Sequence, residues 1–206
     1  MDVPFTNPDS RLRPASKLDG YAFVRQRING SFTLTPLSYR LTANAFPELY
    51  ASLTQMRTRA GISTIEVAIE PHSDRISQSD GLIKIGLQAL NRMSFEDMET
   101  ALAHELGHAW RASHPRANSP VARFPNIAPL HIAEVEADIF ARCLTDNAKQ
   151  TAAMLSRISP PRDIYHPDSQ IRAAIVRHST QTDCSAFNLL PANTPALATH
   201  AASKLR

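Results

Sequence analysis

His104, Glu105 and His108 fall in the order His-Glu-x-x-His within ALAHELGHAWRASH, residues 101–114. On a helix, residues four apart lie one above the other, so both imidazoles can reach a single metal ion. Glu105 then stands beside them, where it can take a proton from a metal-activated water. A catalytic zinc site normally has three protein ligands and keeps its fourth position for water or substrate. Two histidines therefore need a third partner, and the chain offers two sources for it.

The first is His114, six residues after His108, the interval used by the metzincin pattern. That pattern turns the chain sharply at a glycine, whereas this chain has Arg111, whose side chain disfavours a left-handed turn. The second source is Glu134-Val135-Glu136-Ala137-Asp138. On a helix Glu134 and Asp138 share one face while Glu136 points away. Glu134 could ligate the metal, and Asp138 could accept a hydrogen bond from the far nitrogen of a ligand histidine. Alone, the segment reads as a charged helix face; behind an upstream His-Glu-x-x-His helix, the metal reading is the better one.

These residues need helices to hold them, and the pattern supplies them. NRMSFEDMETALAHELGHAWRA (91–112) has helical periodicity, a Ser94/Asp97 pair resembling a capping box, and acidic residues at its start. PLHIAEVEADIFARCLTDNAK (129–149) predicts a second helix, DSQIRAAIVRHS (168–179) a later one, and ANAFPELYASLTQMRTRAG (43–61) an earlier one ended by Gly61. STIEVAIEP (63–71) alternates as a strand with one buried face. HSDRISQSD (72–80) reads as a polar loop, and GLIKIG (81–86), with its charge at Lys84, as a strand on a sheet edge.

The remainder bounds the class. A chain of 206 residues, 43% hydrophobic and 20% charged, suits one globular domain. Residues 1–37 read as an arm that is mobile or covers the cleft, 38–180 as the domain, and 181–206 as a disordered tail. Cys143 and Cys184 are too few for a disulfide scaffold, and Cys143 reads as a buried thiol. No signal-like segment and no long apolar run is visible, so the expectation is a cytoplasmic protein without a membrane span. The net charge of +3 comes with singly scattered arginines, which argues against a nucleic-acid partner.

Three motifs in order carry a family resemblance. The run GLIKIGLQALNRMSFEDMETALAHELGH, then Glu134-x-x-Ala137-Asp138, then His166-Pro167 with Arg172, resembles the gluzincin metallopeptidases of the CAAX prenyl protease and HtpX type. Without a long apolar run, the chain looks more like their soluble minimal members, the minigluzincins. The resemblance implies an α+β, zincin-like fold with a small mixed sheet packed on the His-Glu-x-x-His helix and a glutamate-ligand helix. It implies one Zn2+ held by His104, His108 and Glu134, Glu105 as general base, and Asp138 supporting a ligand histidine. His166 and Arg172 would stabilise the oxyanion or organise the cleft, and Leu82, Ile83, Lys84 and Ile85 would pair with an extended substrate. The expected activity is zinc-dependent endopeptidase action on proteins or peptides. The alternatives are a latent, self-inhibited or non-catalytic zinc-binding protein, and a metzincin-like peptidase that uses His114.

Overall fold

Between Ser79 and Leu82 the chain reverses in two residues. Asp80 and Gly81 both take positive φ, 49° and 79°, the backbone of a tight hairpin turn whose twist matches the strands beside it. This computed structural model describes residues 4–21, 24–28, 31–34, 38–115, 118–124, 127–158 and 166–191. Its strands are β1 (Gly20–Tyr21), β2 (Val24–Ile28), β3 (Ser31–Leu34), β4 (Ser38–Arg40), β5 (Glu66–Glu70), β6 (Ile76–Ser79) and β7 (Leu82–Gly86). Its helices are α1 (Pro47–Ala60), α2 (Leu87–Arg92), α3 (Phe95–Ser113), α4 (Ile132–Thr145), α5 (Ala148–Ile158), α6 (Ser169–His178) and α7 (Gln181–Ser185).

The main sheet has the order β1-β4-β5-β7-β6, with β5 and β7 parallel and the other pairs antiparallel; β2 and β3 form a separate ribbon. The architecture is thus α+β with a mixed sheet. Leu82, Ile83, Lys84 and Ile85, expected at an edge, lie instead on an interior strand, paired with β5 on one side and β6 on the other. The charge that suggested an edge is accommodated by a partner: Lys84 Nζ lies 3.1 Å from the Glu70 carboxylate on β5. The true edge is β6, inside the segment expected as a loop. Its Ile-Ser-Gln-Ser sequence has too little apolar contrast to announce a strand, although Asp80-Gly81 is a strong hairpin signal.

Pro47 in the first turn and Gly61 in the left-handed region at φ 66° bound α1 as its sequence predicts. Helix α3 touches α1, α4, α5 and β6. Leu102 and Leu106 of α3, Val135 and Ile139 of α4, Leu49 of α1 and Ile83 and Ile85 of β7 are fully buried and make one core. The Ser94 hydroxyl caps α3 by accepting from the Asp97 amide at 3.1 Å. The Asp97 carboxylate does not close the expected box; it accepts from Gln150 (2.9 Å) and Arg157 (2.5 Å) and ties α5 to the start of α3.

Both expected loose ends are partly structural. Near the N-terminus, Leu12 and Asn7 are fully buried, and Asn7 Nδ2 donates to the carbonyls of Leu90 and of Met93 (2.8 Å). Asp9 accepts from the Phe95 amide at 3.2 Å, and Arg11 pairs with Glu96 at 2.9 Å. This part of the arm therefore closes the end of α2 and the start of α3, where apolar and amide groups need covering. The side chains of residues 21–37 lie outside the described residues. In the expected tail, α7 is followed by the fully packed Phe187, while residues 192–206 lie outside the described residues. Cys143, expected as a lone thiol, is bonded to Cys184 across 41 residues. Among the described residues no helix is long and apolar enough to cross a membrane.

Candidate metal centre

The site begins with a missing side chain. A Cβ placed on Gly107 would lie 2.9 Å from the Ala137 Cα and 3.2 Å from the Cβ atoms of Ala137 and Phe140. Only a glycine lets the α3 and α4 backbones come this close, and Ala137 keeps the facing surface small. Glu134 lies about one turn before Ala137, so the close crossing carries its carboxylate over to the α3 histidines. Gly107→Ala is expected to push the helices apart, to destabilise the fold by about 1–3 kcal/mol through overpacking, and to weaken metal binding. Isothermal titration with zinc alongside a urea melt would check both.

His104 Nε2 lies 3.1 Å from His108 Nε2 and 3.5 Å from Glu134 Oε2, and His108 Nε2 lies 3.4 Å from Glu134 Oε1. Three donors sharing a tetrahedral zinc at 2.0–2.2 Å would stand about 3.3–3.6 Å apart. The observed separations, which run to the two different Glu134 oxygens, are of that order, and one donor atom from each residue lies within 4.8 Å of the others; two imidazoles and one carboxylate are a donor set that zinc accepts. Glu105, next to His104 on the helix, is buried at 8% exposure.

Behind the triangle lies a buried relay. The His104 Nδ1 is 2.9 Å from Asp138 Oδ1, which fixes the ring so that Nε2 faces Glu134. Asp138, 1% exposed, is gripped by Arg172 through Nε (2.7 Å) and Nη2 (2.8 Å). Arg172 Nη2 also approaches Glu134 Oε2 at 3.4 Å. Arg172 is thus buried and oriented toward two carboxylates, the geometry of a positioning residue. His166 Nε2 stands 3.8 Å from Glu134 Oε2, and its side chain is one-third exposed.

The electrostatics follow from this packing. Burial works against charge on His104, but hydrogen bonds to Asp138 and Glu134 outweigh it and lift its pKa from 6.5 to about 10. Burial also works against charge on Glu134, yet His104 and His108 hold it well below the usual carboxylate range. Asp138 is desolvated too, and Arg172 first, then His104, keep it ionised at unusually low pH. Desolvation opposes the Arg172 charge, and Asp138 and Glu134 raise its pKa despite it. A metal cation entering the triangle must therefore displace a proton from His104.

The rival ligand is directed elsewhere. The His114 ring stacks on Trp110 at 4.5 Å with 12° between planes, and its Nδ1 lies 2.9 Å from the Trp110 carbonyl. Arg111 reaches across to α4, where its guanidinium grips Glu136 with Nε 2.5 Å from Oε2. Sequence reasoning placed Glu136 away from the cluster, as found, but missed this second tie between α3 and α4. It named Ala137 only as a member of the Glu134-x-x-Ala137-Asp138 motif and gave neither it nor Gly107 a packing role. The visible signal for these was the small residue set between Glu105 and His108, and between Glu134 and Asp138.

No protein-family model, no curated protein and no solved structure matches this chain. The functional reading rests on the residues themselves.

Proposed function

We propose that the chain is a zinc-dependent endopeptidase with a zincin-like, gluzincin-type arrangement. The observation that carries this reading is the His104, His108 and Glu134 triangle, with Glu105 alongside and Asp138 behind. When bound there, zinc would supply a Lewis acid that polarises a peptide carbonyl and makes water acidic enough to attack it at neutral pH. Glu105 takes the proton of the attacking water on a carboxylate oxygen and returns it to the leaving amine. Asp138 holds the His104 ring with Nε2 toward the cluster, and Arg172 holds Asp138. His166, the most exposed of the group around Glu134, is the side chain that could donate to the developing oxyanion. The outer edge of β6, not Leu82–Ile85, is the strand that an extended substrate could join.

Glu105→Gln tests the proposal. The variant is expected to bind zinc as the wild type does while cleavage of an unstructured protein falls by about 10²–10⁴-fold, the usual contribution of a general base. A zinc-loaded wild type that cleaves nothing would leave a metal-binding protein and remove the peptidase reading.

A further inference from the structure

The disulfide and the metal cradle share one helix. Helix α4 carries Glu134 and Asp138 near its start and Cys143 near its end, and Cys143 is bonded to Cys184 of α7. We propose that the segment Gln181–Phe187, locked to α4 by the Cys143–Cys184 disulfide, positions the metal cradle, so that metal affinity depends on whether this bond is formed. The proposal rests on the reading that His104, His108 and Glu134 bind a metal.

The physical path is short. Two residues after the α7 helix ends, Phe187 enters the space between α3 and α4 and is 1% exposed. Its ring meets Trp110 of α3 at 5.2 Å and Phe140 of α4 at 5.1 Å, both edge to face, and those two rings are 5.8 Å apart. Phe140 is also the side chain whose Cβ lies against Gly107, and Gly107 precedes His108 directly. The aromatic triplet therefore wedges the crossing whose spacing sets the distance from Glu134 to the two histidines. Close-packed interiors transmit such displacements, because a vacated ring site is refilled by movement of its neighbours. The Glu134 oxygens stand 3.5 Å from His104 and 3.4 Å from His108, so moving α4 relative to α3 changes both distances.

Phe187 is held by this ring packing, by the Thr180/Asp183 capping box of α7 and by the disulfide. Helix α7 is only five residues long. Beyond it, the Leu190 amide donates to the Arg59 carbonyl at 2.8 Å, and Arg59 Nε donates back to the Leu190 carbonyl at 3.2 Å. The disulfide is the segment's covalent tie to α4. A dithiol reductant opens it by attack on one sulfur and closure of its own disulfide, leaving two protons and two electrons on Cys143 and Cys184. A disulfide oxidant such as glutathione disulfide reverses this, with the electrons passing to the oxidant. Such a bond persists in oxidising surroundings and is lost in reducing ones, so metal affinity would differ between the two.

The test uses Co2+ as probe with the full-length chain. Affinity and the visible absorption of bound Co2+ report the ligand geometry, and far-UV circular dichroism reports folding. The double variant C143A/C184A is expected to keep its helix content and to bind Co2+ at least tenfold more weakly, with an altered spectrum. In the disulfide-bonded chain, Phe187→Ala should reproduce the loss and Phe187→Leu should restore most of it. Wild-type affinity and spectrum in a folded C143A/C184A protein would overturn the proposal. If that variant fails to fold, unchanged Co2+ binding by Phe187→Ala overturns it instead. An oxidised wild type that binds no Co2+ sinks the metal reading itself, a result distinguishable from all of these.

Discussion

Glu134→Ala is expected to strip zinc from the chain, and His114→Ala to leave it in place. Loss of an outer partner of a metal ligand already costs about 10–100-fold in affinity, and loss of the ligand itself should exceed that. The Glu134 carboxylate spans both histidines at 3.4–3.5 Å, whereas the His114 ring is stacked on Trp110 and turned to its carbonyl. Competition with a chromophoric chelator, together with the zinc content after dialysis, measures both variants. Zinc loss confined to His114→Ala would replace the gluzincin-type assignment with a metzincin-like one.

Asp138→Ala is expected to cause the largest loss of stability, about 3–5 kcal/mol, because it removes the carboxylate that accepts from two donors of the buried Arg172 and leaves that charge more weakly compensated. Arg172 is 3% exposed and donates to this carboxylate through Nε at 2.7 Å and Nη2 at 2.8 Å. Removing both charges together, as in D138L/R172M, should recover much of the stability, since a well-packed apolar pair can replace a buried ion pair. It should not recover metal affinity, because nothing then orients His104. Urea melts separate these two effects when read beside zinc titrations.

The same cluster predicts the pH dependence of the metal-free chain. The folded pKa of Asp138 lies below its unfolded value, so its contribution is present above about pH 4 and fades as pH falls through the folded value. The folded pKa of His104 lies above its unfolded value, so its contribution is full below pH 6.5 and is lost between 6.5 and about 10. Metal-free stability should therefore decline on both sides. Zinc, which takes the place of the His104 proton, should flatten the alkaline side. Urea midpoints from pH 3 to 10, with and without a chelator, would show it; an alkaline decline unaffected by zinc would separate it from His104.

Much of the candidate site was legible because helical periodicity is a strong local rule. His104 with His108, and Glu134 with Asp138, each lie four apart, and that spacing alone puts each pair on one face. Arg172 was legible only through the family resemblance, as a residue stabilising the oxyanion or organising the cleft. That it grips Asp138 depends on where α6 lands against α4, which no local pattern states. The strands were less legible. Lys84 suggested an edge, yet a single partner, Glu70, makes an interior position tolerable. The real edge, β6, was hidden by its polar sequence, and the Asp80-Gly81 turn was the overlooked signal.

By itself, then, the sequence determined that His104 and His108 share one helix face and that Glu134 and Asp138 share another, since helix geometry converts spacing into direction without reference to the rest of the fold. Apolar periodicity also marked the helices that carry them, with Ser94 capping α3, although the helix expected over 129–149 spans Ile132–Thr145 and ends at a left-handed Asp146. Only the tertiary structure decided that α3 and α4 cross at Gly107 closely enough to bring Glu134 and the two histidines together. It likewise decided that β6 forms the edge, that Leu12 and Phe187 belong to the core, and that Cys143 meets Cys184. Each of these joins residues distant along the chain, and such contacts are set by packing and chain closure, which local spacing does not encode.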